Sequence, residues 1–201
     1  MRMIRLTLIL TGLSLLLTPI IRAQATETPA VSNPALRAEL LDRVKQADVL
    51  LERLLKCTSE FHECDAPMDR LKRAFDNNAA RLNAIVKQYG WPENGVVGRD
   101  GAWAATLILL NAELAFKNEM LPLVRDAYRA GKTDGANYAY LLDDIRVAEG
   151  KPQVYGTHQK EGAGVSPIED EANVNKRRAE VGLPPLSEYE RDKAPRKNDK
   201  R

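Results

Sequence analysis

Residues 34–57 read PALRAELLDRVKQADVLLERLLKC, and their periodicity decides the fold class. Leu36, Leu40, Val44, Ala47, Leu51 and the pair Leu54/Leu55 recur at steps of three and four. That spacing lays one apolar stripe along a helix and leaves the other faces, largely charged, to water. Asn33-Pro34 precedes it as a cap followed by proline at the first helical position, where a missing N–H is tolerated.

Working outward, the same pattern returns. A second helix is expected from about residue 66 to 88, with Leu71, Ala74/Phe75, Leu82, Ile85 and Val86 inward and Gly90-Trp91-Pro92 as its stop. Residues 90–100 read as a glycine-rich loop, without the lysine and preceding strand of a phosphate loop. Asp100 then caps a third helix through Trp103, Leu107, Ile108, Leu114 and Ala115, apolar on nearly all sides between Ala102 and Leu110, as the centre of a bundle would be. Pro122 restarts or bends the chain into a helix to Arg129. Asp134 opens another, with Tyr138, Leu141, Leu142 and Ile145 inward and Gly150 closing it. From Lys151 onward the chain is irregular, except for a short helix from about Asp170 to Val181. No run alternates with the period of a half-buried strand, and no repeat is visible. The expectation is an all-α, single-domain helical bundle over residues 34–190 with an irregular C-terminal loop region.

The first 25 residues read as an export signal. Arg2 and Arg5 precede an apolar run from Leu6 to Ile21, and Ala23-Gln24-Ala25 is a small-x-small cleavage pattern. The run is 16 residues, short of the ~20 that span a bilayer core, so cleavage is favoured over a retained anchor and no membrane span is expected afterwards. Residues 26–33 form a polar linker and residues 191–201 a disordered basic tail. The full chain carries 30 basic and 28 acidic side chains. Removing Arg2, Arg5 and Arg22 with the signal leaves 27 against 28, and residues 26–190 hold 21 against 26, or −5. A mildly acidic body excludes the basic face of a nucleic-acid binder. The tail offers at most weak contact with anionic lipid or cell-wall polymer. The destination is the periplasm or the exterior.

An oxidising destination gives Cys57 and Cys64 a reason to pair. On one continuous helix seven residues separate them by ~10.5 Å, beyond the ~5.5 Å Cα spacing that a disulfide favours. If Cys57 ends one helix and Cys64 precedes the next, the bridge clamps a helical hairpin. A reactive thiol pair and a Cys-His-Cys metal site with His62 are the alternatives, but no further ligand stands nearby to complete a metal shell. Neither a metal nor a cofactor is expected.

Several later elements form a recognisable series. They are Gly90-Trp91-Pro92, Val97-Gly98, the helix 102–112, Tyr140-Leu141-x-Asp143, Gln153-x-Tyr155-Gly156-Thr157 and Arg178-x-x-x-Gly182-Leu183. Over about residues 70–190 the chain resembles a bacterial family known as domain of unknown function 6624, the Gln-x-Tyr-Gly-Thr element being the most specific part. Members typically carry Gln-His-Ala-Asp on the central helix, Asp-Arg on the later one, and Gln after Tyr-Gly-Thr. Here Leu110-Asn111-Ala112-Glu113 replaces the first, Asp144 stands for the arginine and His158 for the glutamine. Histidine and arginine are the groups best able to take a proton or hold an anion. With both replaced, the resemblance implies a site turned toward binding.

The candidate ligand-binding residues are therefore Asn111, Glu113, Asp143, Gln153, Tyr155 and His158, each with a plainer alternative. Asp143 is a functional acid, or a cap or surface charge. Gln153 and Tyr155, two apart in an extended stretch, hydrogen-bond a ligand or tie the loop to the helices. Asn111 and Glu113 lie on the most apolar helix and demand a polar network or a ligand. His158 binds ligand in a catalytic or metal role or is an exposed loop residue, and Trp91 is a core plug or a stacking platform. No nucleophile elbow or His-Glu-x-x-His motif occurs. Three functions follow. The first is an exported protein that binds a protein partner of the envelope or a small polar ligand, an immunity or inhibitor protein being one version. The second is an envelope-acting hydrolase using Asp143, Glu113 and His158, which must converge within ~10 Å. The third is a scaffold component without a pocket.

Overall fold

A computed structural model of the chain describes residues 31–59, 64–158 and 166–187. The export signal, residues 26–30 of the linker, His62 and the basic tail lie outside the described residues. Among the described residues there are six α-helices: α1 Pro34–Ser59, α2 Asp65–Tyr89, α3 Asn94–Leu110, α4 Leu114–Arg129, α5 Gly135–Ala148 and α6 Val174–Glu180, the last preceded by a 3-10 turn at Glu171–Asn173. The described residues contain no sheet, only an isolated parallel bridge between Gln153 and Ile168. The all-α reading holds.

Helix α1 starts where the sequence places it, the Asn33 Oδ1 accepting the Leu36 N–H at 3.0 Å. It pairs with α2 as an antiparallel hairpin. Arg81 Nε donates to Glu39 Oε1 at 2.7 Å, Arg43 Nη1 to Asn78 Oδ1 at 3.1 Å, and Cys57 is bonded to Cys64 with Cα atoms 5.9 Å apart. Cys64 is the residue immediately before α2, as a bridge across the hairpin requires.

Helix α3 runs beside α1 in the same direction. Asn33 N–H bonds the Val96 carbonyl at 2.8 Å, and further along Arg37 Nε reaches Asp100 Oδ1 at 2.8 Å. Ala102, Ala105 and Leu109 have no exposed surface, and the Thr106 hydroxyl is satisfied within the helix by the Ala102 carbonyl at 3.1 Å. Together with Leu40, Leu82, Ile85, Val97, Val124 and Leu141 they form the core, so α3 is the central helix that its composition predicts. Trp91 is buried beneath the turn after α2, which is its core-plug reading.

The boundaries differ from expectation in three places. Residues 94–97 are helical rather than loop, and the chain turns at Gly98, whose φ of +75° favours glycine and whose Cβ would stand 2.9 Å from Asp100 Oδ1. Helix α3 stops at Leu110, so Asn111 and Glu113 sit on the short connection to α4 and not on the apolar helix. Pro122 lies inside α4 without ending it. It is on the exposed side, where water can take up the carbonyl that its ring leaves without an N–H partner.

Candidate functional site

The sequence-predicted site residues fall mainly in two places: the loop from Gln153 to His158 with Asp143 beneath it, and a groove where α3 ends between α1 and α2.

The loop is built on one carboxylate. Asp143 is fully buried on α5. Its Oδ1 accepts the Val154 N–H at 2.7 Å and the Tyr155 N–H at 3.1 Å. Its Oδ2 accepts the Thr157 N–H at 3.0 Å and the Thr157 hydroxyl at 2.9 Å. Successive N–H groups converging on one anion form a nest, here closed by a side chain of the same protein. Gln153, also fully buried, spends its whole amide on the loop: Nε2 donates to the carbonyls of His158 and Ser166 at 2.9 Å each, and Oε1 accepts the His158 N–H at 2.6 Å. Arg178 of α6, with no exposed surface, donates from Nε to the Pro184 carbonyl at 2.6 Å and from Nη1 to the Tyr155 carbonyl at 2.7 Å. Arg177 beside it caps the Val154 carbonyl at 2.8 Å.

Gly156 is required at the centre of this arrangement. Its φ is +67°, and a Cβ there would meet Ile168 Cδ1 at 2.8 Å. Tyr155 turns its ring edge onto Tyr138 at 6.4 Å between centroids, and Tyr138 stacks on Tyr128 at 5.6 Å. Burial is the main reason that the Tyr155 phenol is pushed up to about 12. Asp143, Gln153 and the Tyr155 backbone thus tie the loop to the helices. Neither the surface-charge nor the cap reading of Asp143 describes a carboxylate that organises a loop distant in sequence.

His158 ends this loop half-buried, its Nδ1 enclosed. Its Nε2 lies 3.8 Å from Asp144 Oδ1, and Lys117 Nζ of α4 donates to Asp144 Oδ2 at 2.7 Å. The neighbours Asp143 and Asp144 therefore point to different surroundings, one interior and one near the surface. Glu113 is exposed, and its carbonyl serves the first N–H groups of α4, from Phe116 at 3.0 Å and Lys117 at 3.1 Å. Asp143 and His158 belong to the same loop assembly, but the imidazole meets Asp144. Among the described residues no group of three or more His, Cys, Asp or Glu side chains could hold a metal ion.

Asn111, the remaining candidate, lines the groove. The cavity is about 80 Å³ and is walled by Val44, Ala47, Asp48 and Leu51 of α1, Phe75 and Asn78 of α2, and Leu107, Ile108 and Asn111 at the end of α3. It exists because α3 ends while α1 continues for roughly ten residues, or about 15 Å. Past Ala47 no residue of α1 is buried, and Leu51, Leu55 and Met68 are 40, 59 and 54% exposed. Sequence reading missed Asp48, Phe75 and Asn78 as neighbours of Asn111. One signal was present: Asp48 interrupts the apolar stripe, four residues after Val44 and three before Leu51.

Among the described residues no helix is long and apolar enough to cross a membrane. No curated protein and no solved structure matches the chain. Residues 34–194 match the model of a family of unknown function, DUF6624, and since that match takes in most of the chain, the protein belongs to this family.

Proposed function

We propose that the protein is exported and acts by binding a protein partner through the groove and the exposed apolar end of the α1–α2 hairpin. One observation carries the reading: an apolar cleft of about 80 Å³ is walled by the exposed Leu51, and exposed Leu55 lies one turn beyond it on α1 and exposed Met68 two turns before Phe75 on α2. Small-molecule pockets are commonly ~300–1,000 Å³, so this cleft suits one side chain of a partner rather than a whole ligand. Contiguous apolar surface rimmed by polar groups is the usual mark of an interface. The leader-like residues 1–25 and the Cys57–Cys64 bond support export, since disulfides persist in oxidising compartments.

The test is an affinity capture from the producing cell's envelope with the chain from residue 26 onward, read by intact mass. A stoichiometric partner that is lost with Leu51→Asp, at unchanged melting temperature, is the expected result. A partner retained by that variant places binding elsewhere, and no partner at all retires the interaction reading.

A hydrolase acting on an envelope substrate is the second reading, favoured by the imidazole of His158 beside Asp144. It would use Asp144 in place of Asp143, whose oxygens are filled by the loop. Turnover of envelope material that disappears with His158→Ala is its signature. Equal turnover by variant and wild type ends it.

A further inference from the structure

The groove's polar lining is Asp48, Asn78 and Asn111, of which Asp48 alone carries a charge and Asn78 is occupied by Arg43. Asp48 is exposed and makes no hydrogen bond or ion pair among the described residues. Asn111, exposed at the rim, donates its Nδ2 to the Leu107 carbonyl at 2.9 Å, and its Oδ1 accepts no hydrogen bond among the described residues. No basic side chain lines the cavity. The nearby Arg43 of α1 is engaged by Glu39 Oε1 at 2.9 Å and Asn78 Oδ1 at 3.1 Å. Floor and walls come from Val44, Leu51, Phe75, Leu107 and Ile108. A mostly apolar slot thus opens with one exposed carboxylate, Asp48, at its edge.

Resting on the docking reading above, we propose that the groove receives a lysine or arginine side chain of the partner. Lysine and arginine combine an aliphatic stem with a head that only donates hydrogen bonds. The stem packs on Leu51, Phe75 and Ile108, and the cationic head meets the Asp48 carboxylate and the Asn111 Oδ1. The size agrees: about 80 Å³ is well below the ~300–1,000 Å³ of small-molecule pockets and takes a single side chain. From residue 26 onward the chain holds 27 basic against 28 acidic side chains, so any attraction for a cation is local to the Asp48 carboxylate at the groove. Phe75 adds an aromatic wall, against which a cation is favoured over a neutral isostere.

The chain from residue 26 onward, with its disulfide intact, is titrated with N-acetyl-lysine methylamide and separately with the norleucine analogue, which keeps the stem and lacks the ammonium. Two-dimensional amide NMR follows the binding. Saturable shifts of the Asn78 and Asn111 side-chain amides and of the Leu51 and Ile108 backbone are expected with the lysine probe. Norleucine binds roughly tenfold more weakly, and Asp48→Asn weakens the lysine probe by a similar factor, as loss of one charge-assisted hydrogen bond implies. Asp48 is exposed, so this variant keeps the wild-type melting temperature. Equal binding of both probes, or no effect of Asp48→Asn, overturns the cationic assignment and leaves an apolar docking cleft. Groove shifts without any captured envelope protein retain the basic-group assignment while removing the protein partner. No groove shift with the lysine probe overturns the proposal outright.

Discussion

The free end of the α1–α2 hairpin and the loop on α5 are organised by opposite means. At the hairpin end, beyond Ala47 on α1, apolar side chains lie open and one disulfide joins the two helices. Beside α5, three fully buried polar side chains, Asp143 of α5, Gln153 of the loop itself and Arg178 of α6, hold a loop with almost no apolar core of its own. A helix satisfies its own backbone and needs only a face to bury, so its end can remain exposed without distortion. A loop has no such internal partners, and each buried N–H and carbonyl must be met by a specific side chain. The polar residues that look most like a ligand site in sequence are therefore the ones that the loop consumes. The open surface lies where the sequence looks like ordinary amphipathic helix.

The strongest way to break this contrast is Asp143→Ala. It leaves three backbone N–H groups and the Thr157 hydroxyl without their acceptor, at an expected cost of about 3–5 kcal/mol in urea unfolding. Hydrogen exchange should rise over residues 153–158 and 166–187 and stay unchanged over residues 49–59. Equal loosening of the hairpin end would mean that the two regions are one cooperative unit.

A smaller effect is expected from Cys57→Ser with Cys64→Ser. The bridge closes a short loop of sequence separation 7, for which chain entropy implies about 2 kcal/mol. Faster exchange is expected in residues 49–59 and 65–72, with the Tyr155 region untouched. Loss of protection around Asp143 instead would erase the distinction.

The smallest effect tests the junction below the hairpin end, where Glu39 is clamped by Arg81 and Arg43. The Arg81 hydrogen bonds, opposed in part by burial and helped by Arg43, hold the Glu39 carboxyl down to about 2. Because the folded value is depressed, its stabilisation is present above the ordinary value of 4.5 and is lost as pH falls through about 2. The group is 29% exposed, so solvent screening limits the contribution to about 1 kcal/mol. Glu39→Gln should lose that amount at neutral pH, the difference narrowing as pH falls through about 2 and closing below it. A constant difference across the range would mean that packing, not charge, links the helices there.

The helices themselves were legible in the chain, because each carries its own repeat of apolar residues and its own punctuation. Asn33-Pro34, Gly90-Trp91-Pro92 and Gly150 mark real ends. The likeness to DUF6624 was legible in the Gln153-x-Tyr155-Gly156-Thr157 element. The roles within it were not: a buried carboxylate that gathers amide N–H groups and one that faces a ligand have the same letter and the same spacing. Pairing Asp143 with Val154, Tyr155 and Thr157, and Arg178 with the carbonyls of Tyr155 and Pro184, requires α5, the loop and α6 to be brought together in space. The groove has the same origin. Periodicity shows that Val44, Asp48 and Leu51 share a face of α1, but the face becomes a cleft because α3 stops at Leu110 and α1 does not. Local repeat and capping set the helices, since those depend on neighbours along the chain. The site depends on where one helix ends against another, and that is a property of packing.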